Sequence, residues 1–133
     1  MSKEIDEYKK KAEQGDAEAQ CSLGDCYRLG LGVEQDYSAA FKWYQLSAEQ
    51  GYSDAQFCLG TLYEEGLDVE QNLELAVDWY RKSAEQGNAE AQYLLGDCYR
   101  VGLGVEQNYS AAFKWYQLSA EQGDLDAQYY LGL

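Results

Sequence analysis

The sequence predicts an all-α protein, a stack of antiparallel helix hairpins with a 36-residue period, and three observations carry that reading. The tetrapeptide "AEQG" recurs at 12–15, 48–51, 84–87 and 120–123, and the fifteen residues "YSAAFKWYQLSAEQG" stand verbatim at 37–51 and 109–123. A period of this length points to stacked supersecondary units. The positions that stay constant between copies follow helical spacing. They are 19, 20, 23, 24, 27 and 30 in "DAEAQCSLGDCYRLG", and 40, 43, 44, 47 and 48 in "DYSAAFKWYQLSAEQG". Finally, there is no proline, and Ala, Leu, Glu, Gln and Tyr outnumber the β-branched residues, a balance that favours helix.

Taken in order, residues 3–15 align with the second helix of a unit. Glu7 replaces the Trp of later copies, Lys9 to Lys11 crowd one face, and only Ile5, Tyr8 and Ala12 remain apolar. That pattern reads as a polar N-terminal capping half-repeat. Three full units follow at 16–51, 52–87 and 88–123, each two amphipathic helices joined by a loop such as "GLGVEQ". Asp16, Asp36, Asn72, Asn88 and Asn108 stand where an N-cap side chain accepts a backbone N–H. Gly30 and Gly51 stand where a helix ends and φ turns positive. Gly24 follows the buried Leu23, where any Cβ would hold the paired helix away. Asp68 occupies the loop place of Gly32 and Gly104; if that place needs positive φ, Asp fits at a cost.

Residues 124–133 stop inside the first helix of a fourth, partial unit, which should leave Tyr130 and Leu131 poorly covered. Either the chain was cut from a longer array or this end meets another molecule. The first unit matches the third at 31 of 36 positions and the second at only 18, so a two-unit block was duplicated. Residues 1–133 are expected to form a single solenoid domain.

Composition narrows the function. Ten cations face 24 carboxylates, a net charge of −14, which makes nucleic acid a poor partner and basic proteins or peptides better ones. The simpler reading is that the acidity only keeps the chain dissolved. No apolar run reaches the length of a membrane span, and "MSKEIDEYKKKAEQG" is not a signal peptide, so the chain as given is expected to be soluble and cytoplasmic. There is no histidine, hence no imidazole base or metal ligand. The four cysteines, Cys21, Cys26, Cys58 and Cys98, form no C-x-x-C pair and sit where sister copies carry other residues. They read as small buried hydrophobes in a reducing compartment. No nucleophile–base motif, phosphate loop or metal-binding motif occurs, so neither catalysis nor a cofactor nor a metal is expected. The recurrent Trp-Tyr pairs at 43–44, 79–80 and 115–116 could form a ligand platform, but their helical spacing makes them core.

Leu23-Gly24, Tyr27, Gly30, Gly32-Val33, Asp36, Ala40, Trp43-Tyr44, Ala48, Gly51 and Ala55 together form a pattern that resembles the Sel-one-like repeat (SLR), a relative of the tetratricopeptide repeat (TPR). The resemblance covers almost the whole chain and implies a right-handed, TPR-like α-solenoid that holds proteins or peptides on a concave face. Some disulfide-rich bacterial relatives pair a Cys on each helix of a hairpin. Here the second helices carry none.

The positions that change between units are the candidates for binding, because packing does not dictate them. On the first helix they share one face, which in related solenoids lines the concave groove. Down the stack they form four ladders: Glu18, Asp54, Glu90 and Asp126; Cys21, Phe57, Tyr93 and Tyr129; Asp25, Thr61 and Asp97; Arg28, Glu64 and Arg100. An aromatic stripe flanked by carboxylates suits an extended peptide that is basic or carries aromatic residues. The aromatics also suit packing between adjacent first helices. The expected function is therefore a non-catalytic protein-interaction scaffold. The rival reading is a structural or engineered array with end-to-end self-association through its C-terminal end and no evolved ligand.

Overall fold

The computed structural model describes residues 2–132, with side chains from Glu4 onward. Met1 and Leu133, the ends of the expected solenoid domain, lie outside the described residues. Eight helices and no strands are present among them. They are α1 (Ser2–Glu13), α2 (Ala17–Leu29), α3 (Tyr37–Glu49), α4 (Ser53–Glu65), α5 (Leu73–Glu85), α6 (Ala89–Val101), α7 (Tyr109–Glu121) and α8 (Leu125–Leu131). Three hairpins, α2–α3, α4–α5 and α6–α7, stack in chain order, with α1 and α8 packed at the ends.

Local chemistry accounts for the boundaries. Asp16, Asp36, Asn72, Asn88, Asn108 and Asp124 each accept the backbone N–H three residues on, and among the described N-caps Tyr52 is the one whose side chain makes no such bond. Gly30, Gly66 and Gly102 end the first helices in the left-handed region. In each interior loop a glutamine covers an otherwise free carbonyl of the first helix: Gln35, Gln71 and Gln107 donate to the carbonyls of Arg28, Glu64 and Arg100.

A ladder of polar side chains, buried at Gln20, Gln56, Gln92 and the three serines, ties the helices within and between units. Gln20, Gln56, Gln92 and Gln128 each donate to the alanine carbonyl eight residues back, near the end of the preceding second helix. Ser47, Ser83 and Ser119 donate to carbonyls in the first turns of their hairpin partners. Gln50, Gln86 and Gln122 donate to the amide oxygens of Gln20, Gln56 and Gln92. These bonds explain why Gln recurs in "AQ" and in "AEQG": each polar group that stacking buries finds a partner. Among the described residues no buried side-chain polar atom is left unpaired.

The tyrosine of each Trp-Tyr pair is core. Tyr44 and Tyr80 are fully buried and Tyr116 nearly so, whereas Trp43, Trp79 and Trp115 are half-buried against the clusters. At the N-terminal end Ile5 and Ala12 are buried and Tyr8 half-buried, as the cap pattern requires. At the other end Leu131 is better covered than expected for so short a helix, packing beside Ala112 and Tyr116. Leu125 and Tyr129, each 78% exposed, are the uncovered residues there, with Tyr130 at 46%.

Candidate partner-binding face

The first helices α2, α4 and α6 present one face on which three shallow depressions adjoin. The first lies between α1 and α2, lined by Glu4, Ile5, Tyr8, Asp25 and Cys26. The second carries Glu7, Lys11, Asp16 and Glu18. The third, about 340 Å³, crosses from α2 over α4 to the start of α6. Ser22 lines all three.

The third depression brings together Glu18, Asp25, Arg28, Asp54, Phe57 and Glu90 from the variable ladders. Glu18, Asp54 and Glu90 are exposed and Phe57 is half-buried. Asp54 accepts a hydrogen bond from the Asn88 side chain at 2.9 Å, tying α4 to the N-cap of α6. The remaining candidates do not join this depression. Tyr93 is half-buried, its ring against Tyr116 (centroids 5.8 Å) and Tyr130 (6.1 Å). Burial, with the charge of Asp97 next, pushes its hydroxyl pKa up to about 12. Tyr129 stands in solvent, touching Tyr130 edge-on. Of the other ladder residues, Cys21 lines the third depression but is buried, and Asp126 is exposed.

Two of the ladders carry a structural load that sequence reasoning missed. Tyr44 Oη donates to Asp25 Oδ1 at 2.5 Å and accepts from Arg28 Nε at 2.9 Å, while Arg28 and Asp25 pair at 3.5 Å. The third unit repeats this with Tyr116, Asp97 and Arg100. In the second unit Tyr80 Oη donates to Glu64 Oε1 at 2.8 Å, and Thr61 turns back to bond the Cys58 carbonyl. Positions 25 and 28 therefore vary as a set: Asp with Arg, or Thr with Glu, each providing an acceptor for the buried hydroxyl. The signal was present in the sequence, since 25/28 and 97/100 are Asp/Arg while 61/64 are Thr/Glu.

Among the described residues no cluster of three or more His, Cys, Asp or Glu side chains is placed to hold a metal, and no helix is long and apolar enough to cross a membrane.

Comparison with known proteins places this geometry. A Sel1 repeat model matches residues 17–52, 53–88 and 89–124. Among solved structures, a protective antigen of uropathogenic Escherichia coli displaying an SLR fold is similar over 96% of this chain, at 41% identity and a TM-score of 0.94. This chain spans 27% of that protein's length. A Sel1 repeat protein from Oxalobacter formigenes is 36% identical with a TM-score of 0.87, over 95% of each chain. Helicobacter pylori cysteine rich protein B is 25% identical with a TM-score of 0.75, over 96% of this chain and 94% of its own. None of the curated proteins compared with the chain matches it.

Proposed function

This chain belongs to the Sel1 repeat family, and from that premise we propose that it is a non-catalytic scaffold whose first-helix face, the concave side of the solenoid, binds an extended partner segment. Sel1 repeats generally mediate protein–protein interaction and are generally non-enzymatic. The observation that supports this particular face is the run of three adjoining depressions meeting at Ser22. Seven carboxylates line them (Glu4, Glu7, Asp16, Glu18, Asp25, Asp54 and Glu90) against two cations, Lys11 and Arg28. Tyr8, Tyr52 and Phe57 supply aromatic surface in the same track. The partner is a basic peptide carrying aromatic residues: acids steer it and rings hold its cations and apolar groups.

Titrating the isotope-labelled full chain with a peptide of alternating arginine and tyrosine, followed by amide NMR, tests this reading. Shift changes should concentrate on α2, α4 and the start of α6, and affinity should fall as salt rises. Phe57→Ala and the pair Glu18→Lys with Glu90→Lys should each weaken binding without unfolding the chain. Shifts confined to α7 and α8, or none at all, would reject it.

A second reading rests on the C-terminal end. Phe41 packs edge-on against Tyr63 at 5.6 Å, yet Phe113, its counterpart in the identical segment, is 56% exposed. With Tyr109, Leu125 and Tyr129 it leaves apolar surface that end-to-end association would bury. Light scattering across a wide concentration range separates the readings, since only the second requires mass to grow with concentration.

A further inference from the structure

The first-helix face also holds a pair of thiols that peptide binding does not use. Cys21 on α2 is buried and Cys58 on α4 half-buried. Both line the depression beside Phe57, and Cys58 packs against the apolar cluster that holds Cys21. The internal repeat supplies an independent check on this contact. A shift of 72 residues carries Cys21 to Tyr93 and Cys58 to Tyr130, and the rings of Tyr93 and Tyr130 touch, with centroids 6.1 Å apart. The same two places therefore neighbour each other across adjacent first helices twice, filled by touching rings near the C-terminus and by two thiols of one cluster near the N-terminus. Units one and three differ at five of 36 positions, and this is one of the five. The other cysteines lie apart: Cys26 packs toward α1 and Cys98 in the cluster of α5 and α6.

We infer that Cys21 and Cys58 are a redox modification site, closing to a reversible disulfide that staples the first repeat to the second across the groove. Small-molecule disulfides such as oxidised glutathione are the class of oxidant it takes. The Cys58 thiolate, the more exposed of the two, attacks one sulfur of oxidised glutathione. The glutathione S–S bond breaks, one glutathione leaves as thiolate and takes up a proton, and Cys58 carries the other as a mixed disulfide. Cys21 then gives up its proton and attacks Sγ of Cys58, forming the protein Sγ–Sγ bond and releasing the second glutathione as a thiol. The protein loses two electrons and the glutathione disulfide gains them. The neighbouring Cys58 side chain, burial, and the charges of Asp25 and Asp54 hold the Cys21 thiol far above the ordinary cysteine range. Cys58 is the thiol that an oxidant in the depression can reach, so first attack falls to Cys58, and the buried Cys21 resolves it. This pairing joins first helices of adjacent repeats, unlike a bridge within one hairpin.

The test is oxidation of the full chain carrying Cys26→Ala and Cys98→Ala with oxidised glutathione in mildly alkaline buffer, read by whole-protein mass. The chain should lose two hydrogens and both free thiols while keeping no glutathione, and trypsin should release peptides 12–28 and 43–81 joined. Adding Cys21→Ser should stop the reaction with one glutathione retained on Cys58. In the unsubstituted protein, cleavage at Asp25 separates Cys21 from Cys26, and the link must fall on the Cys21 fragment. The inference is overturned if the folded chain keeps both thiols under conditions that oxidise it in urea. It is equally overturned if the two cysteines each retain glutathione, or if Cys26 carries the link.

Discussion

Gly24 on α2 and Tyr44 on α3 compete for the same space: a Cβ on Gly24 would stand 2.7 Å from ring carbons Cδ1 and Cε1 of Tyr44. Gly60 with Tyr80 and Gly96 with Tyr116 repeat the relationship at 2.7–2.8 Å. Each hairpin is thus closed by a glycine that admits a buried tyrosine, whose hydroxyl then reaches the acid or Arg–acid pair on the first helix.

Gly24→Ala sets two effects against each other. Alanine in a helix interior gains about 1 kcal/mol over glycine, while overpacking a filled core costs about 1–3 kcal/mol. The Tyr44 ring is wholly buried and cannot swing aside, so overpacking wins. A urea titration should show a net loss of up to roughly 2 kcal/mol. An unchanged midpoint would mean that the ring has room to move.

Tyr80→Phe removes a hydroxyl that bonds Glu64 on half-exposed ground, costing about 0.5–1 kcal/mol at neutral pH. Its larger signature is in alkali. Burial, followed by the charge of Glu64, holds the Tyr80 hydroxyl well above its ordinary pKa. Burial and the same Glu64 charge push the Cys98 thiol up to about 12 from 9.0. Both groups are favoured neutral in the folded chain, so their contribution is complete below the unfolded values. It is lost as pH rises, from about 9 for the thiol and about 10 for the phenol. Urea midpoints at pH 8 and 11 should fall less between the two in Tyr80→Phe than in the parent. Equal falls would remove Tyr80 from the account.

Asp68→Gly should stabilise the chain by roughly 0.5–1 kcal/mol, because Asp68 is the one non-glycine residue at positive φ (61°) among the described residues. The counterpart change, Gly104→Ala, should destabilise strongly. There a Cβ would collide with the Leu73 carbonyl and stand 2.9 Å from Val77 Cγ2, on top of the strained φ of 72°. Thermal unfolding of the two variants checks both signs, and a gain from Gly104→Ala would refute the packing argument.

Leu125→Glu with Tyr129→Glu should leave folding within about 0.5 kcal/mol, because each side chain is 78% in solvent. If the C-terminal end associates, the same pair should abolish any growth of mass with concentration. A parent that grows and a variant that grows equally would place the contact elsewhere.

The division between what was legible in the sequence and what was not follows the range of the interactions. Helix starts at Asp16, Asp36, Asn72, Asn88 and Asn108 were legible because a cap bond spans three residues. Positive φ at Gly30 and Gly51 was legible because one residue's sterics decide it, whereas at Asp68 it was only conditional, raised by the glycines that sister copies carry there. The Glu18, Asp54 and Glu90 ladder was legible because helical spacing alone sets a face, and these three stay exposed on it. Asp25 and Arg28 were not, since their partner Tyr44 lies 19 and 16 residues on and belongs to another helix.

The verbatim segment at 37–51 and 109–123 separates the two kinds of information most plainly. Both copies fold to a thirteen-residue helix with an N-cap φ of −154°, so sequence by itself determined the element, its boundaries and its repeat. Yet Tyr37 and Phe41 are half-buried while Tyr109 and Phe113 are 69% and 56% exposed. Tertiary structure alone decided that difference. Dihedral preference and capping are local to a helix, whereas burial is set by which helix stacks next, and the second copy has only the short α8 beyond it.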